Sequence, residues 1–191
     1  MILEGIVTTQ NEDGGVNISP MGPIVDETMT HLVLRPYRTS TTYQNLKRNG
    51  AGILHITDDV ELIARAAVGR LEESPPMLEL DSEHGHVLAD ACRWYAFRVR
   101  KLHDRNERTT IQCDVVEQGW LRDFFGFNRA KHAVLEAAIL ATRISLLPAE
   151  HVRAEMKRLS VMVEKTAGPQ ERRAFDFLSQ YLEETLSPSG E

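Results

Sequence analysis

Cysteine is scarce in this 191-residue chain: Cys92 and Cys113 stand far apart and form no CxxC pair. Spacing therefore supports neither a zinc ribbon nor a redox motif. The two could pair, but one bridge is no scaffold for a chain of this size, and two buried thiols in a reducing cytosol is the preferred reading. Positive charge is also short. The net charge is −6 and no basic stripe is visible, which argues against a general nucleic-acid binder. No apolar run approaches the roughly 20 residues that a membrane span needs. The opening MILEGIVTTQ has no basic region and no long apolar core, so no signal peptide and a cytoplasmic location are expected. There is no GxGxxG to support a Rossmann site, no evident Ser–His–acid set, and no internal repeat. What remains is an ordinary globular composition, 42% hydrophobic and 26% charged. It suffices for one compact domain, with or without a helical appendage.

The first half reads as strands. Residues 2–9 are β-rich, NEDGG at 11–15 is a turn of the Asp-Gly kind, and VNISPMG follows, so a hairpin is expected. Pro20 and Pro23 end its second strand or place it at an edge. HLVLR at 31–35 is a third strand, closed by Pro36. Thr41 followed by Gln44 fits a capping box for a helix that Gly50 can close. AGILHIT at 51–57 is a fourth strand, and Asp58 with Glu61 opens a short helix that ends at Gly69. Residues 72–90 read as a polar loop with room for a short strand. The runs at 94–104 and 108–118 form a second hairpin.

After residue 120 the apolar period becomes helical. An alanine-rich helix at 128–146 is capped by Asn128, a second runs from Pro148 to Gly168, and a third follows. SPSGE at the end is expected to be disordered. The outline is α+β: a six-stranded antiparallel barrel over residues 1–127, then C-terminal helices over 128–187 packed on the barrel or on a dimer interface.

Chemistry concentrates in Arg38-Thr39-Ser40-Thr41-Thr42-Tyr43-Gln44-Asn45. A helix N-terminus carries unpaired N–H groups and partial positive charge. Four hydroxyls and a guanidinium placed there make a phosphate cradle. The plainer reading is a Ser/Thr-rich turn whose hydroxyls only cap the helix.

NISPMGP at 17–23, followed by LRPYRTSTTYQNLKRNGAGILHITDD at 34–59, resembles the flavin-reductase-like FMN-binding split barrels. Within them it is most similar to an uncharacterised branch found in archaea and some bacteria. FNRAKHAVLEAAILATR at 127–143 looks like that branch's C-terminal helix, so the resemblance spans roughly residues 1–145. It implies a six-stranded split β-barrel and FMN as cofactor. Carried over, Ser40, Thr42 and Asn45, with Thr39 and Thr41 beside them, would hold the phosphate, and Arg38 would neutralise it. Asn17, Ser19, Met21 and Gly22 would contact the flavin ring, and His55 would sit near the ring or ribityl chain. Thr39 stands where a glycine-like turn residue would be unremarkable. The resemblance further implies a homodimer whose second subunit completes the flavin groove. It points to an oxidoreductase acting on a flavin- or pterin-like heterocycle, with NAD(P)H as a transient reductant and no assigned catalytic side chain. The alternatives are a flavin-binding protein without turnover and an interaction module that has lost FMN.

Other candidates have plainer explanations. Asn128, Arg129, Lys131 and His132 begin a helix and could meet an anion, such as FMN phosphate from a partner subunit, or form a capped, solvated turn. Two cations at a helix N-terminus with no acidic neighbour hint at the anion. His84 and His86 lack further metal ligands nearby and read as surface loop. Trp94, Tyr95 and Phe97 read as core and barrel rim. Packing is preferred for Trp120, Phe124, Phe125 and Phe127, which could otherwise line a flavin-edge pocket. Asp58-Asp59 need no role beyond helix capping.

Overall fold

The computed structural model describes residues 1–80 and 85–187. His84 and the end of the SPSGE tail therefore lie outside the described residues. The chain forms two compact units, Met1–Thr57 with Glu73–Phe124, and Asp58–Glu72 with Phe125–Glu191.

In the first unit, β1 (Gly5–Gln10) and β2 (Val16–Met21) form the expected hairpin, in register from Gly5↔Met21 to Gln10↔Val16. Gly14 turns it with φ of +86°, a conformation open to glycine at no steric cost. Next come β3 (Ile24–Val25), β4 (His31–Leu34), helix α1 (Thr41–Asn49) and β5 (Ala51–Ile56). Two short strands, β6 (Met77–Glu79) and β7 (His86–Leu88), pair with each other in the region expected to be a loop with room for one short strand. The long hairpin of β8 (Arg93–His103) and β9 (Thr110–Trp120) completes the unit.

Seven strands form one antiparallel sheet in the order β2-β1-β5-β8-β9-β4-β3. The six expected strands are all present. The seventh, β3, has two residues directly after Pro23, too few for any alternation to register in sequence. The sheet curls into a half-barrel whose ends meet through the N-terminal residues. Ile2 bridges Ile24, Leu3 N donates to Pro23 O at 3.1 Å, and Val25 N donates to Met1 O at 2.9 Å. Alternation along the strands places Val7, Leu34, Leu54, Phe97 and Ile111 in one buried core, which Tyr43 and Leu46 of α1 join. Ile53, Trp94 and Ala96 face the other way and are covered by Val87 of β7. Trp94, Tyr95 and Phe97 are thus core residues, as expected, and Cys92 and Cys113 are buried free thiols. Burial pushes the Cys113 thiol up to about 12.

The second unit is helical: α2 (Val60–Ala67), α3 (Arg129–Thr142), α4 (Ala149–Thr166) and α5 (Pro169–Leu186). α3 stops short of residue 146, and a separate 3-10 turn occupies Ile144–Leu146. Alanines 130, 133, 137, 138 and 141 are all buried, so α4 and α5 approach α3 closely against Leu159, Leu178 and Leu182. α2 packs on α3 and α5 through Val60 and Ala64. Its cap is Asp59, which accepts from Leu62 N at 2.9 Å, one residue later than the Asp58 expected. No helix among the described residues is long and apolar enough to cross a membrane.

Gly119 lies opposite Trp94 in the β8–β9 pairing, and a Cβ there would sit 2.4 Å from the indole ring. Gly119→Ala is expected to lower stability by about 1–3 kcal/mol through overpacking. The check is a urea unfolding midpoint read by tryptophan fluorescence, with an unchanged midpoint as the contrary result.

Candidate functional site

The start of α1 is shaped by a turn over Tyr37–Ser40, in which both Ser40 N and Ser40 Oγ donate to Tyr37 O, at 3.0 and 2.7 Å. Ser40, not Thr41, is the N-cap: its hydroxyl accepts from Tyr43 N at 3.2 Å. Gln44 accordingly makes no capping box and donates from Nε2 to Arg38 O at 2.9 Å. The backbone N–H groups of Thr41 and Thr42 are left with no partner among the described residues. Two bare donors at the positive end of a nine-residue helix have the polarity that an anion would meet.

A buried polar network holds this helix against the β1–β2 hairpin. Asn45 donates from Nδ2 to Thr9 Oγ1 at 3.0 Å and to Asn11 Oδ1 at 2.7 Å. Its Oδ1 accepts from Arg48 Nη2 at 2.8 Å, and Arg48 also donates to Gln10 O at 2.9 Å. Asn17 donates to Thr9 Oγ1 at 3.2 Å and to Thr42 Oγ1 at 3.1 Å. Thr9, Thr42 and Asn45 are buried. Because Thr42 Oγ1 accepts from Asn17, its O–H remains a donor, and Asn17 Oδ1 has no donor among the described residues. Strand alternation sets Ser19 and Met21 on the same face of β2 as Asn17. Gly22 follows directly past the end of β2, where a Cβ would lie 3.2 Å from Ile2 Cγ2.

The structure thus brings Asn17, Thr41 and Thr42 together at one helix end, with Ser19 and Met21 further along the same face of β2 and Met21 packed on the sheet core. Arg38 and Thr39 are exposed beside it, and Arg38 Nη1 makes only a long contact of 3.4 Å to Asp104 O. Asn45 is fully hydrogen-bonded and Ser40 is occupied as a cap, so both hold the helix in place. Thr9, Asn11 and Arg48 escaped sequence reasoning. The expected hairpin register already set Thr9 opposite Asn17, a pair of polar residues facing each other across the hairpin, and that was the available signal.

His55 does something different. Its ring is fully buried, Nδ1 donates to Ile6 O at 3.2 Å, and Nε2 accepts from Leu88 N at 3.1 Å. Both nitrogens are taken by backbone, so His55 pins β7 to the sheet and offers no polar atom to a cofactor. Burial pushes it down to about 4 against the bond to Ile6, which favours its protonated form.

Asn128 and Arg129 belong to the second unit. Asn128 is the cap of α3: Oδ1 accepts from Ala130 N and Lys131 N at 2.8 and 3.1 Å, and Nδ2 donates to Thr166 O at 3.1 Å. Arg129 is exposed. The acid missing around Lys131 in sequence comes from α5: Glu171 pairs with it at 2.9 Å. Burial works to raise the Glu171 carboxyl, but the Lys131 bond overrides this and holds it below the ordinary range. The aromatic stretch differs from expectation, since Trp120, Phe125 and Phe127 are 62%, 89% and 107% exposed. Backbone geometry at Gly126, with φ of +97°, belongs to that same stretch.

Residues 3–122 match the model of the N-terminal domain of a protein of unknown function (DUF447), and residues 128–180 match the model of the DUF447 segment that follows it. The chain belongs to the DUF447 family. A solved DUF447 structure, an FMN-bound protein from Methanosarcina mazei, is 23% identical with a TM-score of 0.81, and the match covers 94% of each chain. The styrene monooxygenase flavin reductase from Pseudomonas putida S12 matches at TM-score 0.52 and 11% identity, over 62% of this DUF447 chain and 81% of its own. An FMN-binding protein from Thermus thermophilus matches at TM-score 0.51 and 13% identity, over 62% and 70%. The fold of this DUF447 chain is therefore the flavin-reductase-like split barrel, with C-terminal helices.

The depressed His55 value carries a sign. The unfolded histidine protonates near 6.5, the folded one only near 4. Its stabilisation is complete above pH 6.5 and is lost as pH falls toward 4. Unfolding free energy is expected to drop by about 2 kcal/mol from pH 7 to pH 5 on this account. His55→Gln should flatten that slope while lowering stability at pH 7. Equal slopes in the two proteins would refute the assignment.

Proposed function

We propose that this DUF447 chain binds FMN in its half-barrel and works as a flavin-reductase-like oxidoreductase on a flavin- or pterin-like heterocycle. The observation that carries the reading is the pair of unpartnered N–H groups at Thr41 and Thr42, at the head of the Asn17–Ser19–Met21 row. The likeness to an FMN-bound relative over nearly the whole chain supports it. The phosphate would take the N–H groups and hydroxyls of Thr41 and Thr42, with Arg38 and Thr39 at its exposed side supplying charge and a further donor. Ser40 and Asn45 position these groups without touching the ligand. Asn17, Ser19 and Met21 offer one strand face, polar near the helix and apolar at Met21, and with Gly22 directly past its end this suits a ring system with a polar tail.

Bound flavin supplies the electron-carrying chemistry; the chain supplies binding, orientation and exclusion of water. Lys47 of α1 is held above its ordinary range by its bonds to Tyr43 and Asp104, and Asp104 below its own by Tyr43 and Lys47, so this pair stays charged. NAD(P)H is the proposed reductant, and a homodimer is the proposed assembly. A second reading, flavin binding without turnover, draws on the same residues.

A visible spectrum of the purified protein tests the reading. Heat-released cofactor should co-migrate with FMN and not with FAD or riboflavin, and NADPH or NADH should bleach it rapidly. Slow bleaching of a genuine FMN complex would favour the non-catalytic reading, and a colourless protein that takes up no added FMN would end both. Thr42→Val, which removes a donor hydroxyl and keeps the shape, is expected to weaken FMN about tenfold by titration.

A further inference from the structure

Past Leu34 the chain continues alongside the start of β9. Thr109 N and Thr109 Oγ1 donate to Pro36 O at 3.0 and 2.7 Å, Tyr37 bridges Arg108, and Arg38 N donates to Glu107 O at 2.8 Å. Alternation assigns the sides. Leu34 and Pro36 are buried, so Arg35 and Tyr37 project from the opposite face, and Arg108, paired with Tyr37, shares it. There the Arg108 guanidinium lies 5.6 Å from the centroid of the Tyr37 ring, and its Nε donates to Arg35 O at 3.3 Å. Tyr37 is 55% exposed. Arg35 Nε is buried and has no hydrogen-bond partner. Neither Arg35 nor Arg108 pairs with a carboxylate among the described residues, although the chain holds 28 acidic residues against 22 basic ones.

A buried guanidinium N–H with no acceptor is destabilising by itself and persists where something else supplies the acceptor. Two guanidiniums projecting from the same face of neighbouring strands, with no carboxylate between them, suit a doubly charged group. A monocarboxylate would leave one charge uncompensated; a phosphate monoester matches both charges and the fork geometry of arginine. The exposed tyrosine face beside them suits a planar ring.

We propose that Arg35 and Arg108, with the Tyr37 ring as platform, form a second anion site that takes the phosphate monoester of an aromatic ligand such as a nucleotide. It rests on the cofactor reading only in leaving the FMN phosphate to Thr41 and Thr42. The site gives that reading a place to grip the phosphorylated end of a second ligand, while the α1 end holds the first.

The test uses the full chain as purified, with its flavin content measured first. Calorimetric titration with 2′,5′-ADP, inorganic phosphate and adenosine separates a phosphorylated nucleotide from phosphate alone and from the base alone. The expected result is saturable binding of 2′,5′-ADP, much weaker binding of inorganic phosphate, and none of adenosine. Arg35→Met and Arg108→Met should each weaken 2′,5′-ADP by about tenfold or more while retaining wild-type FMN content. Thr42→Val should do the reverse. No saturable binding of 2′,5′-ADP, equal affinity for inorganic phosphate, or unchanged affinity in both variants overturns the proposal. Loss of FMN in Arg35→Met with a folded circular-dichroism spectrum also overturns it, by placing Arg35 in the cofactor's own site. If Arg35→Met does not fold, Arg108→Met decides alone. A colourless protein that still binds 2′,5′-ADP through these arginines would defeat the cofactor reading and leave this one standing.

Discussion

A helix can present its N-terminus to a ligand only if the rest of it cannot move, and in this half-barrel the amide of Asn45 provides that constraint. All three of its polar sites used in the structure are satisfied inside the protein: two hydrogens by Thr9 and Asn11, the oxygen by Arg48. A buried amide in that state tolerates little displacement, because any shift strands a polar group away from water. The far side of α1 is fixed independently. The Tyr43 hydroxyl donates to Asp104 Oδ2 at 2.7 Å and Lys47 Nζ reaches the same oxygen at 3.0 Å. Those two donors hold the Asp104 carboxyl below its ordinary range. α1 is thereby clamped between the tips of two hairpins, and the bare N–H groups of Thr41 and Thr42 inherit that rigidity.

This arrangement divides the hydroxyl- and amide-rich segment into two kinds of residue. Thr41 and Thr42 keep donors free, whereas Ser40 and Asn45 have given theirs to the fold. Residues that look alike in a motif therefore differ: some keep donors free, others decide where the first group stands. His55 is the extreme case. Its place in a motif-bearing strand suggested a ring contact, but each of its nitrogens is closed by a backbone partner.

Much of the architecture was legible because it rests on local chemistry. The Asp-Gly turn, the alternation in the long β8–β9 hairpin, Asn128 as a cap and the alanine stripe of α3 all act within a few residues of themselves. What escaped depended on partners distant in sequence. Glu171 neutralises Lys131 from 40 positions away in the chain. Ser40 displaced Thr41 as cap because Tyr37 O was positioned to orient its hydroxyl. β3 exists because it pairs with β4 on one side and meets the N-terminal residues on the other, and no two-residue strand announces itself by periodicity. The aromatics at 120–127 looked like core from composition alone, but solvent exposure is a property of neighbours, which composition does not encode. For the candidate site, the hydroxyl run and the Asn17 row were readable. The distinction between contact and support was not, since it required the hydrogen-bond partners.

The helical unit is assembled from two separate stretches of chain, with α2 supplied between β5 and β6 and the other helices following β9. On a ribosome, α2 is made more than sixty residues ahead of the α3 surface that covers Val60 and Ala64. During that interval its apolar stripe has no native partner, and the half-barrel strands emerge while it waits. Biogenesis of this protein therefore contains a built-in delay between the making of a hydrophobic face and its burial, a window in which a nascent-chain chaperone would find its client.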